Sequence, residues 1–151
     1  GLMTCPIFGV SDSNALQHAD DLGIAMQLTN ICRDVREDAE NDRIYLPAEY
    51  FESSPLISEL ISQDEKAIRE ITQVKNRLLN LAEVRYASGE RGIRYLPIRM
   101  RIVVRWAGRM YREIGELIQQ NPDRYHTQRA VVNSGRKMRI LLPCLYRALI
   151  T

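Results

Sequence analysis

Gln27-Leu-Thr-Asn-Ile-Cys-Arg-Asp-Val-Arg-Glu-Asp38 places amide and acidic side chains at helical spacing within a segment that is otherwise apolar. At about 100° per residue, Gln27, Asn30, Asp34 and Asp38 share one polar stripe roughly 80° wide. Ile24, Leu28, Ile31 and Val35 form an apolar stripe directly beside it. A surface helix normally sets its polar face opposite its apolar one, so adjoining stripes predict carboxylates that line a cleft. Oxygen donors in a cleft can hold a cation.

The chain on either side extends this into a helical protein. Asp12 or Ser13 can cap a helix running from about Asn14 to Ala39, because both side chains accept from free N–H groups of a first turn. Ala39 to Pro47 reads as a polar turn that closes on Ile44-Tyr45-Leu46 and folds back over the helix end. A short helix is expected over Pro47 to Phe51 and a break at Pro55. Ser62-Gln-Asp-Glu65 has a capping-box pattern and opens a long amphipathic helix to about Ser88, ended by Gly89 and Gly92. Pro97 opens the next helix, which Asn121-Pro122 stops. The last helix runs from about Gly135 to Ile150 and is predicted to kink at Pro143. No alternating strand pattern appears, so the fold class is all-α with long helices in one domain over 1–151. Gly1 to Gly9 is apolar and uncapped, reads as the middle of a packed helix, and gives the expectation of an N-terminal truncation.

Composition narrows the chemistry. The 151 residues are 45% hydrophobic, and the three cysteines, Cys5, Cys32 and Cys144, form no C-x-x-C pair. That argues against a disulfide framework or a zinc site and for a reducing compartment. With only His18 and His126, a metal would take oxygen ligands, which points to Mg²⁺ or Mn²⁺. His18 itself reads as first-turn polar surface. Arg99, Arg101, Arg105 and Arg109 interrupt the most hydrophobic stretch, so no membrane span is expected and the localisation expected is cytoplasmic. Residues 1–70 hold 14 acids and 5 bases, a charge of −9, while residues 71–151 hold 5 acids and 16 bases, a charge of +11. Such halves either pair with each other or bind divalent cations and polyanions together. The basic half has few interleaved aromatics and no nucleic-acid module, so no nucleic-acid partner is expected.

Asp21 to Pro47 resembles the second aspartate-rich motif of the squalene/phytoene synthases, in its bacterial phytoene synthase form. Weaker similarity continues through Arg109-Met-Tyr-Arg-Glu-Ile and Gln128-Arg-Ala-Val-Val. The resemblance implies the C-terminal part of an isoprenoid-synthase-type helical bundle. It also implies that Asn30, Asp34 and Asp38 bind Mg²⁺, that Gln27 and Arg33 contact diphosphate, and that Tyr45 and Tyr111 are active-site tyrosines. Arg129 matches a diphosphate-binding arginine, with Arg136 and Lys137 as further candidates. The family's other aspartate-rich motif, on an earlier helix, has no counterpart here, so the resemblance implies a fragment that is inactive alone.

The implied reaction joins two prenyl diphosphates head to head, taking geranylgeranyl diphosphate to phytoene through a cyclopropylcarbinyl diphosphate. A diphosphate departs readily only when metal ions and guanidinium groups take up its developing charge. Arg33 and Arg129 would bind its oxygens bidentately, and Tyr45 and Tyr111 would offer π-faces to the allylic cation. Squalene or dehydrosqualene synthesis from farnesyl diphosphate is the alternative product class, with NADPH used only by the squalene type. A second alternative is a non-catalytic helical interaction or assembly module of the same fold. Peripheral membrane contact for product release and a homodimer both remain open.

Overall fold

The computed structural model describes residues 12–52, 57–62 and 64–150, with side chains through 146. In order it contains α1 (Ser13–Arg33), α2 (Val35–Glu40), a 3₁₀ turn (Ala48–Tyr50), α3 (Ile57–Ser62), α4 (Glu65–Gly92), a second 3₁₀ turn (Ile93–Tyr95), α5 (Ile98–Gln120), α6 (Arg124–Thr127) and α7 (Ser134–Ile150). The described residues include no strand, so the fold is all-α, as expected for the C-terminal part of an isoprenoid-synthase-type bundle. None of their helices is long and apolar enough to cross a membrane. The expectations for Gly1 to Gly9, Cys5 and Pro55 lie outside the described residues.

Aspartates set the two main helix starts. The Asp12 carboxylate accepts from the N–H groups of Asn14 (2.8 Å) and Ala15 (3.2 Å), satisfying donors that a first turn leaves free. At α4 the cap is Asp64, accepting from Lys66 (3.0 Å) and Ala67 (3.1 Å), and not Ser62. The predicted end of α4 at Ser88 is also corrected, because the helix continues through Gly89 to Gly92. A Cβ at Gly89 would lie 2.8 Å from Cβ of Leu22, and one at Gly92 would lie 2.3 Å from Cβ of His18. These glycines therefore let α1 approach α4 within a continuous helix. Gly89 does not terminate it, while α4 does end at Gly92 as expected.

The main core joins α1, α4 and α5 through Cys32, Val74, Leu78, Ile114 and Leu117, and Leu46 reaches the same cluster from the loop after α2. That loop folds back over the helix end as expected, turning at Asp42 with φ 55°. The Arg43 N–H then donates to the carbonyl of Asp38 at 2.9 Å. Neither Cys32 nor Cys144 is disulfide-bonded. α7 carries Pro143 inside a single helix.

Candidate active site

The site begins at a break in the helix. The stripe predicts one helix from Asn14 to Ala39, but α1 ends at Arg33, Asp34 takes φ −99° and ψ 10°, and α2 starts at Val35. The reason is visible in the side chains. Arg33 donates through Nε and Nη2 to the two carboxylate oxygens of Asp34 at 2.8 and 2.7 Å. Adjacent residues on a regular helix do not face each other, so this fork needs the local departure. Helical registration survives it, since the Asp34 N–H still donates to the carbonyl of Asn30 (2.9 Å) and the Asp38 N–H to that of Asp34 (2.8 Å).

A second arginine arrives from the segment after α6. Arg129 approaches Asp34 Oδ1 through Nε at 3.2 Å and Glu37 through Nη1 at 3.3 Å. Hydrogen bonds to Asp34 push the Arg33 pKa up, and the hydroxyl of Tyr111 on α5 adds to the same effect. Arg33, Asp34, Tyr111 and Arg129, named far apart in sequence, thus meet. Arg33 and Arg129 also line an open groove of about 410 Å³ with Arg36, Glu37, Glu40 and His126. Burial, followed by the nearby charge of Lys75, lowers the His126 pKa to about 4.

Asp38 stands one turn further on, lining a small crevice with Tyr45, Ile31, Val35 and Arg43. Burial raises its pKa first, and the charges of Asp34 and Glu37 add to that. Tyr45 is 54% exposed at the rim, and Gln27 is exposed on α1. Arg136 is placed elsewhere, donating to Glu113 of α5 at 2.6 Å. Asn30 has the most telling environment: its Oδ1 is buried with no hydrogen-bond partner. A buried amide oxygen left unmatched costs about 1–3 kcal/mol, and here it lies one turn from the Asp34 carboxylate. Such a pair suits a hard cation that takes oxygen ligands. Among the described residues, no three His, Cys, Asp or Glu side chains converge on a point that could hold a metal.

Some contributors were missed in the sequence. Tyr86 is buried on α4, its hydroxyl 2.8 Å from Thr29 Oγ1, and Tyr111 packs against the same cluster. Burial chiefly raises the Tyr86 pKa, which keeps the hydroxyl protonated. The step from Ala82 to Tyr86 on the apolar side of α4 was its only signal. His18 is corrected from surface to interface, with its ring stacked on Tyr95 at a centroid distance of 6.4 Å. Its Nδ1 lies 2.9 Å from Ser88 Oγ.

Residues 1–136 match the family model for squalene/phytoene synthase. The chain belongs to the squalene/phytoene synthase family. It is 37% identical over 142 residues to a 15-cis-phytoene synthase of Enterobacter agglomerans, covering 94% of this chain and 48% of that protein. It is 36% identical over 149 residues to a 15-cis-phytoene synthase of Pantoea ananas, covering 99% and 48%. A phytoene synthase of Rhodobacter capsulatus is 36% identical over 138 residues, covering 91% and 41%. The chain therefore spans about half the length of these relatives. Within the family match, the Asp34 cluster is where the quoted motif and the observed geometry coincide.

Proposed function

We propose that this chain provides one wall of a phytoene synthase site, where two molecules of geranylgeranyl diphosphate are joined head to head. The observation that carries this reading is the unpaired, buried Oδ1 of Asn30 beside a carboxylate gripped by two arginines. Asn30, Asp34 and Asp38 would hold Mg²⁺, which when bound supplies positive charge to a departing diphosphate. Arg33 and Arg129 present planar forks that suit phosphate oxygens as well as the carboxylate they now hold. Gln27, exposed one turn before Asn30, adds an amide donor. Tyr111 sets Arg33 in place and offers its ring to developing positive charge, while Ile31, Val35 and Leu46 form an apolar border that limits access of water. The names of the relatives favour phytoene over a squalene-type product.

A chimaera tests this directly. Residues 1–136 replace the matching half of the Pantoea ananas enzyme, and product from geranylgeranyl diphosphate is measured with Mg²⁺ and with EDTA. Metal-dependent phytoene is expected. A folded chimaera that makes none overturns the reading.

A further inference from the structure

Positive charge collects a second time, away from Asp34. Arg105, Arg109 and Arg112 follow steps of four and three along one face of α5. With Arg139 of α7 they line a groove of about 240 Å³ that also contains Glu113, Glu116, Ile140 and Pro143. It shares no lining residue with the groove beside Asp34. The volume is several times the ~30 Å³ share of one water molecule, enough for a small polyatomic ion.

The pairing pattern indicates the missing charge. Glu113 is held by Arg136 at 2.6 Å, and Glu116 lies 3.9 Å from Arg112 Nε. Arg112 also pairs with Glu83, and Arg105 Nε donates to Glu90 at 2.8 Å. Each of these acids is already engaged, so Arg109 and Arg139 have no carboxylate partner among the described residues. Arg105 on the inner wall is only 5% exposed, and its Nη1 is buried without an acceptor, as is Nε of Arg112. Buried cationic donors without acceptors are costly, and guanidinium groups crowded on one wall repel unless an anion lies among them.

We propose that the α5–α7 groove is a binding site for a phosphate dianion. Its two negative charges match the two unpaired arginines, and its tetrahedral oxygens can accept paired N–H donors from several forks. This site stands apart from the diphosphate reading at Asp34. Inorganic phosphate is titrated calorimetrically into the full chain in EDTA, with acetate at equal ionic strength as the control. Saturable binding of phosphate alone is expected, weakened by about tenfold or more in Arg109→Gln/Arg139→Gln. Neither side chain is in an ion pair, so the fold should hold. If the double variant melts early, the exposed Arg139→Gln alone should still weaken binding by about threefold. Arg33→Gln/Arg129→Gln should leave it unchanged. Retention on phosphatidic acid vesicles but not phosphatidylcholine vesicles, lost in the Arg109/Arg139 variant, would make a lipid headgroup the source of the phosphate. Saturable binding of inorganic phosphate without such retention makes it a free ion. Equal phosphate binding in wild type and the Arg109/Arg139 variant, or loss only with Arg33 and Arg129, overturns the site.

Discussion

Two carboxylates, Asp21 within α1 and Asp34 at the break that ends it, are each gripped by arginine, yet only one of them is closed. Asp21 is 6% exposed and accepts from Ser88, Arg85 and Gln17. The Ser88 hydrogen bond is the main reason its pKa is lowered. Because the single Ser88 proton goes to Asp21, His18 must donate to Ser88 through Nδ1, which completes a chain across the α1–α4 interface. Asp34 keeps 19% of its side chain exposed, and Arg129, one of its two partners, is 53% exposed. Partners fixed by a neighbouring helix make a carboxylate part of the fold. Partners on a helix break and an exposed arm leave it free to exchange them for another charged group.

The largest effect should separate the two at once. Asp34→Asn in the chimaera should lower phytoene formation by at least about 10³-fold, or ~4 kcal/mol in the barrier. Asp and Asn are nearly isosteric, so the urea midpoint should reflect a loss of no more than ~1 kcal/mol. Near-normal turnover would place Asp34 with Asp21, as a structural acid. Asp21→Asn should do the reverse, costing about 2–3 kcal/mol in urea unfolding because Arg85 and Ser88 lose a buried acceptor. Arg85 can partly rehydrate, which keeps the loss below that of a fully buried pair. The lowered Asp21 pKa means its contribution is present above the ordinary carboxylate value and is lost as the pH falls from there through the lowered folded value.

His126 tests whether the wall of the Asp34 groove is structural as well. Its folded pKa of about 4 lies below the ordinary 6.5, so below pH 6.5 the unfolded chain takes up a proton that the folded chain refuses. Stability should therefore fall as the pH drops from 6.5 towards 4, by about 2 kcal/mol once the ~3.4 kcal/mol of the full shift is reduced for the partial exposure of the ring. His126→Gln, which can still bond the Thr72 hydroxyl now 2.8 Å from Nε2, should flatten that slope. An unchanged slope would place the titration elsewhere.

How much of this the sequence disclosed follows from what periodicity encodes. The all-α class and the long helices follow from apolar spacing, which reports the face a helix buries. The Asp34 stripe was legible because its polar residues fall at three- and four-residue steps. The break at Asp34 was not, since it arises from a bond between adjacent side chains that leaves no periodic trace. Gly89 looked like a helix end, although α4 runs on to Gly92, because the close approach of Leu22 that it permits is a tertiary event. Asp21 resembled ordinary first-half acidity until Arg85 and Ser88, more than sixty positions away, closed around it.

Lys75 offers the smallest and sharpest contrast, a charged group that is buried like Asp21 but lacks comparable partners. It is 4% exposed, and its Nζ donates to the carbonyl of Tyr125 at 3.4 Å. Burial lowers its pKa to about 8, offset in part by Cys32, whose own thiol burial pushes up to about 12. A folded pKa below the unfolded 10.5 means the charged amine opposes folding at neutral pH, and stability should rise as the pH climbs from 8 to 10.5. Met nearly matches the length of the side chain and carries no charge. Lys75→Met should therefore stabilise the chain at pH 7 by about 1 kcal/mol, the relief of the buried charge being reduced by the lost acceptor pairing at Tyr125. Urea unfolding at pH 7 and pH 10 checks both parts, because the gain must shrink at the higher pH. A variant less stable than wild type at pH 7 would show that the Tyr125 bond outweighs burial, and Lys75 would then belong with Asp21 among the charges that hold the fold together.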